Sequence, residues 1–284
     1  MRTLSRILAL VDSRKTSSVA LQRARLMAKA TDASIVVLAT NPEPSQTTQA
    51  NLEAMMAPLL AEGINVTGGE QWHDSVVNTI IHVQEMEGCD LVVKEPKVES
   101  TLMTLIRRPE DWSLLRQCEV PILLVRHDNS WVNGNILAAV DACPRDSDHQ
   151  VLNNVIMEHA TRIADFSEAT LYIGSAYPVS ILSGENTSEA YQANCLKMAE
   201  AFDQPKDRVL VQEGPAEILI PDLVKAYNIS LVVMGTVANS SIKGALLGNT
   251  AERILGLIDT DILALRPKDV MEPLEQELQY HTMR

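Results

Sequence analysis

Two glycines at the edges of one polar loop are the first candidates for chemistry. Gly235 follows the apolar run Leu231-Val232-Val233-Met234, and Gly248 precedes Asn249-Thr250-Ala251-Glu252. The order is strand, glycine, loop, glycine, helix start. Glycine lets a ligand approach the backbone closely, and free N–H groups at a helix start suit an anion such as phosphate. Asn249 or Thr250 is placed to cap the helix that Ala251 to Leu257 predicts. Asp141 ends another apolar run, and an aspartate there is either a ligand contact or an ordinary turn former. Cys143, two residues on, is either a reactive thiol or a passive turn residue.

Other chemistry finds little support. His73, His82, His127, His149, His159 and His281 show neither HExxH nor another metal spacing. There is no GxSxG nucleophile elbow. No lysine follows Gly248 as in a Walker A loop, so phosphoryl transfer lacks its usual cation. No catalytic residue and no metal ligand is therefore assigned.

The elements that hold these residues repeat. Ile7-Leu8-Ala9-Leu10-Val11-Asp12 recurs as Ile136-Leu137-Ala138-Ala139-Val140-Asp141. Ser34 to Val37 answers Thr170 to Ile173, Leu91 to Lys94 answers Leu231 to Met234, and Ile122 to Arg126 answers Ile262 to Arg266. From Leu91 to Arg126 the halves align without a gap. Residues 1–130 and 131–270 are expected to be two domains, followed by a charged tail at 271–284. Short apolar runs alternate with helical patterns at Ser18 to Ala30, Ser75 to Met86, Val151 to Ala164 and Ala216 to Tyr227. Strands apolar throughout, alternating with helices, imply a parallel sheet covered on both faces. The expected class is α/β, with two tandem doubly wound five-stranded parallel sheets. Asp12, Asp141 and Gly235 then fall at the carboxyl ends, where such sheets bind ligands. The stretches Asn41 to Gln49 and Ala176 to Glu189 read as long loops, either lids or surface insertions.

Composition narrows the partners. A net charge of −13 argues against nucleic acid but leaves a small anion open, because backbone dipoles can bind one. Cys89, Cys118, Cys143 and Cys195 lack CxxC spacing, which fits free thiols, mostly in cores, in a reducing cytoplasm. The N-terminal apolar run is too short to span a membrane. Trp72, Trp112 and Trp131 read as packing anchors.

The stretch Leu231 to Thr250 resembles the nucleotide loop of the universal stress protein family, G-2x-G-9x-G-(S/T). Gly235 and Gly248 hold the outer glycine positions; Ala238 stands at the middle glycine, and Asn249 where Ser or Thr is usual. The resemblance covers nearly the whole chain and implies a role in stress response, the family fold (adenine nucleotide alpha hydrolase-like) and an ATP or other nucleotide-like ligand. It assigns Asp141 to ribose and phosphate, with Ala139 and Val140 beside it, and Ile173 to the base. Met234 and Gly235 become the strand-end pair, Val237 the next contact, and Gly248, Asn249 and Thr250 the phosphate turn. Alanine at position 238 costs about 1 kcal/mol if φ is positive there, so ordinary ATP binding is expected to weaken or disappear.

The first half is an internal control. In the gap-free alignment Gly235 faces Glu95, Ala238 faces Val98, Gly248 faces Arg108 and Asn249 faces Pro109. Like charge and a lost N–H make this loop unfit for phosphate. Arg107 and Arg108 either hold an anion through side chains or form a solvated turn. The expected protein is a ligand-binding or signalling module without catalysis, its ligand in the second half; a slow ATPase on the same loop is the alternative. Family pairing through last strands implies an internal pseudo-dimer, and a homodimer of chains is open.

Overall fold

The computed structural model describes residues 4–95, 109–144, 146–177, 187–236 and 248–269. Val237, Ala238, Val98, Arg107, Arg108, most of the second long loop and the tail lie outside them. The first half runs β1 (Arg6–Leu10), α1 (Val19–Thr31), β2 (Ser34–Thr40), α2 (Gln46–Ala61), β3 (Val66–Gln71), α3 (Val76–Glu87), β4 (Leu91–Lys94), α4 (Pro109–Gln117) and β5 (Ile122–Leu124). The second repeats it with β6 (Asn135–Ala139), α5 (Ser147–Ser167), β7 (Thr170–Tyr177), α6 (Thr187–Ala201), β8 (Val209–Glu213), α7 (Ala216–Ala226), β9 (Ile229–Gly235), α8 (Asn249–Leu257) and β10 (Asp261–Leu265).

All ten strands form one sheet, ordered β3-β2-β1-β4-β5-β10-β9-β6-β7-β8. Pairing is parallel within each half; β5 and β10 join the halves antiparallel, with Leu123 opposite Leu263. Those two leucines are equivalent in the repeat, so the halves meet about a pseudo-twofold, like an isologous dimer interface. Reciprocal arginines confirm the symmetry. Arg126 donates to the Leu255 carbonyl at 2.7 Å, and Arg266 donates to that of Leu115. Each caps the last turn of α8 or α4, where carbonyls lack helical partners. The pairing also hides the edges that β5 and β10 would otherwise expose.

Side chains alternate between two cores because successive strand residues point to opposite faces. Ile7, Ala9, Ile35, Val37, Val93, Ile136, Ala138 and Val233 pack under α1, α2, α5 and α6. Leu8, Leu10, Val36, Val92, Leu137, Val232 and Met234 pack under α3, α4, α7 and α8. Strands buried on both faces explain their unbroken apolar runs.

Three expectations need correction. Residues 46–49 are helix rather than loop, because Ser45 and Thr48 form a capping box that starts α2. Helix α8 begins at Asn249, with Gly248 at the cap position and no side-chain cap, so neither Asn249 nor Thr250 caps it. Trp72 is 42% exposed and lies outside both cores, whereas Trp131 is fully buried. All four cysteines are free, three of them buried.

Candidate functional site

Chain direction creates two comparable crevices. After β1 and β6 the chain enters helices on one face; after β4 and β9 it enters helices on the other. The carboxyl ends of β1/β4 and of β6/β9 are therefore topological switch points, where the connections diverge.

The first crevice is filled by its own side chains. Glu95, just past β4, accepts from Ser18 Oγ at 2.7 Å and from the Ala20 N–H at 2.9 Å. Its carboxylate thus sits at the start of α1, where unpaired N–H groups and the helix dipole favour negative charge. Glu70, near the end of β3, accepts from Ser13 Oγ and Asn41 Nδ2, each at 2.7 Å, and from Thr48 Oγ1 at 3.0 Å. Asp12 is held bidentately by Arg14, whose hydrogen bonds keep that carboxyl below its ordinary pKa despite partial burial. Beneath, Lys94 and Asp111 form a buried ion pair. Glu95→Ala is expected to cost about 1–2 kcal/mol, the usual worth of a helix cap. A lower urea midpoint at unchanged m-value is the readout; an unshifted midpoint would remove Glu95 as the α1 cap.

The second crevice keeps Asp141 where the first has Asp12, but the other charges have no counterpart at the corresponding places. Glu95 is replaced by Gly235, and the Lys94–Asp111 pair by Met234 and Ala251. Ala139 lies beside Met234 on β9 and beside Gly174 on β7, and Val140 donates its N–H to the Gly174 carbonyl. Asp141 is half-buried, its Oδ1 accepting from the Cys143 N–H at 3.1 Å. No described hydrogen bond or ion pair joins Asp141 to a cation. Thr236 donates N–H and Oγ1 to the Leu265 carbonyl, and its own carbonyl accepts from Gly248 N–H at 3.0 Å. Thr236 and Gly248 are therefore held side by side. That bond occupies the Gly248 N–H, while Asn249 and Thr250 stay exposed at the start of α8, which has no side-chain cap among the described residues.

The residues assigned by sequence divide in two. Asp141, Ala139, Gly235, Gly248, Asn249 and Thr250 lie on or beside the β6/β9 end. Ile173 and Val140 point into the core beneath α5 and α6, and Met234 into the opposite core, so none of these three offers side-chain surface. Val237 is outside the described residues. Cys143 accepts at 3.5 Å from Asn194 Nδ2, which also donates to the Ala142 carbonyl at 3.0 Å.

Sequence reasoning missed four residues that shape this end. Asn153 accepts from the Asp141 N–H at 3.0 Å and donates to the Asp141 carbonyl at 2.6 Å. Ser175 accepts from the Ala142 N–H at 3.2 Å, and Asn194 pins the same turn. Leu152 packs against Gly235. The signal for two of them was legible: Asp146 caps α5 by accepting from the His149 N–H, several residues before the apolar periodicity begins. As a result α5 has 21 residues against 13 in α1, and its first two turns overhang the strand ends.

Comparison with known proteins agrees with this architecture. The universal stress protein family model matches residues 3–126 and again 133–266. A universal stress protein E homolog of Haemophilus influenzae is 30% identical over 69% of this chain and 68% of its own. Universal stress protein E of Escherichia coli K12 is 29% identical over 72% of this chain and 69% of its own. A crystal structure of a putative universal stress protein from Pseudomonas aeruginosa UCBPP-PA14 superposes with a TM-score of 0.85, at 32% identity, covering 100% of this chain and 99% of the other. A functionally unknown Pseudomonas aeruginosa PAO1 protein gives the same TM-score at 33% identity, over 98% of both chains. With two matches to the family model spanning most of its length and a fold shared end to end, the chain belongs to the universal stress protein family, whose role lies in the stress response.

Proposed function

We propose that this protein is a non-catalytic ligand-binding or signalling module of the stress response, and that its ligand is a small anion-bearing molecule held by the second half. The carrying observation is the asymmetry of two equivalent strand ends. One is saturated by Glu95, Glu70 and a buried ion pair; the other offers Gly235, an α8 start with no side-chain cap among the described residues, and no carboxylate at the Glu95 position. An uncapped helix start has spare N–H donors and a positive dipole end, which suits an anion even on an acidic protein. Asp141, Ala139, Gly248, Asn249 and Thr250 are the proposed contacts.

Calorimetric titration with inorganic phosphate, AMP and ATP tests the reading. Wild type is expected to bind at least one of them, and Gly248→Val to weaken that binding by about tenfold, because a β-branched side chain covers the helix start. Binding unchanged in Gly248→Val places the ligand elsewhere. ADP release above that of Gly248→Val would instead support a slow ATPase.

A further inference from the structure

Gly235 invites a ligand by leaving space at the end of β9, yet that space is taken from within. A Cβ built on Gly235 would lie 2.9 Å from Leu152 Cγ, 3.3 Å from Cδ1, and closer still to Cδ2. Leu152 is 5% exposed and belongs to the core under α5. It sits on the overhanging turns of α5, and the neighbouring Asn153, itself buried, clamps those turns to both backbone groups of Asp141. The glycine therefore admits the protein's own leucine. Its absent side chain and the longer helix are two halves of one packing arrangement.

We infer that Leu152 is the specificity-determining residue of the second-half site, excluding a nucleoside from the end of β9 and so favouring a compact anion held between Asp141 and the α8 start. A base or ribose at a switch point must lie in van der Waals contact with the strand-end backbone, the approach that a glycine permits. Here the leucine methyls occupy the side of Gly235 that a Cβ would take, on the face toward α5. In the first half Glu95 closes the corresponding place with a carboxylate, so the two crevices are closed by different chemistry. The ligand part of this inference rests on the site proposed above; the packing part does not.

Two measurements on the full chain test it. In titrations with AMP and with inorganic phosphate, Leu152→Ala is expected to bind AMP about tenfold more tightly than wild type, and Leu152→Val to fall between them. Equal AMP affinity in wild type and both folded variants overturns the inference. The second measurement is a stability cycle. Gly235→Ala should lower the urea midpoint in wild type, and much less in Leu152→Ala, since the added methyl then meets no side chain. The same loss in both backgrounds shows that the glycine serves something other than Leu152, and overturns the packing part. A gain of AMP binding in a protein that never binds phosphate would uphold Leu152 as the barrier and remove the anion site at α8, which separates the two readings.

Discussion

Asp261→Ala is expected to destabilise the protein by about 3–5 kcal/mol, the cost of leaving a buried charge without its partner. Asp261 opens β10 and is 1% exposed. Its Oδ2 accepts from Arg23 Nε at 2.8 Å and from Trp131 Nε1 at 2.9 Å, and its Oδ1 from the Arg126 N–H at 2.8 Å. Arg23 also donates to the carbonyls of His127 and Asn129, and its guanidinium lies 4.8 Å from the Trp131 ring centre. A single carboxylate thus ties together α1 of the first half, the connecting segment and the last strand of the second. Alanine leaves the guanidinium charge without its counter-ion, and the Arg23 Nε–H, the indole N–H and the Arg126 N–H without their acceptor, each a cost in itself. Urea denaturation followed by circular dichroism and by tryptophan fluorescence provides the readout. The midpoint should fall steeply, and the two probes should cease to coincide as the halves uncouple. A loss below about 1 kcal/mol would show that the network is solvated in practice and not a buried ion pair. Replacing both charges, with Arg23→Met and Asp261→Asn, should recover part of the loss.

The second large effect is a loss of stability in mild acid. His159 holds, eight residues before the end of α5, the place that Arg23 holds eight residues before the end of α1. Its ring bonds to the Asp269 backbone in the turn after β10, and among the described residues its Nε2 is buried without a partner. Burial, with a smaller contribution from Arg162, lowers its pKa from 6.5 to about 4, against the opposing hydrogen bond to Asp269. Above pH 6.5 the imidazole is neutral both folded and unfolded. As pH falls, the unfolded chain takes up a proton that the folded protein refuses. The associated stability is therefore present above pH 6.5 and is lost as pH falls through about 4, about 3 kcal/mol in all. Glu158 acts in the opposite sense, because burial raises its pKa and so favours the folded state in acid. His159→Gln separates the two. Its stability should vary less with pH between 4 and 6.5 than that of wild type. Equal slopes would mean that the ring is hydrated.

Much of the fold could be read from the residues alone, since its information is local and periodic. Apolar runs such as Leu231 to Met234 require burial on both faces, and their recurrence through two halves leaves a tandem doubly wound sheet as the simple solution. Helix α2 escaped that reading, since its first turn is polar and its start depends on a cap formed by Ser45 and Thr48. The glycines flanking the β9–α8 loop were equally plain, and so was the corresponding departure at Glu95.

What surrounds those glycines depends on residues distant in the chain. Leu152 reaches Gly235 because α5 starts early, and Asn153 closes on Asp141 because the helix overhangs the strand ends. Spacing along the chain carries no record of that contact. Ile173 matches a family position, yet its place on β7 turns it into the core under α5 and α6, a direction set by strand pairing. Asp261 adjoins the apolar run Ile262 to Leu265 and carries no sign of a partner in the sequence; only the packing of α1 across the pseudo-twofold brings Arg23 and Trp131 to it. Local sequence specifies which elements form, because propensity and hydrophobic period act over neighbouring residues. The occupants of each crevice are decided when separate elements compete for one space, and that competition takes place only in three dimensions.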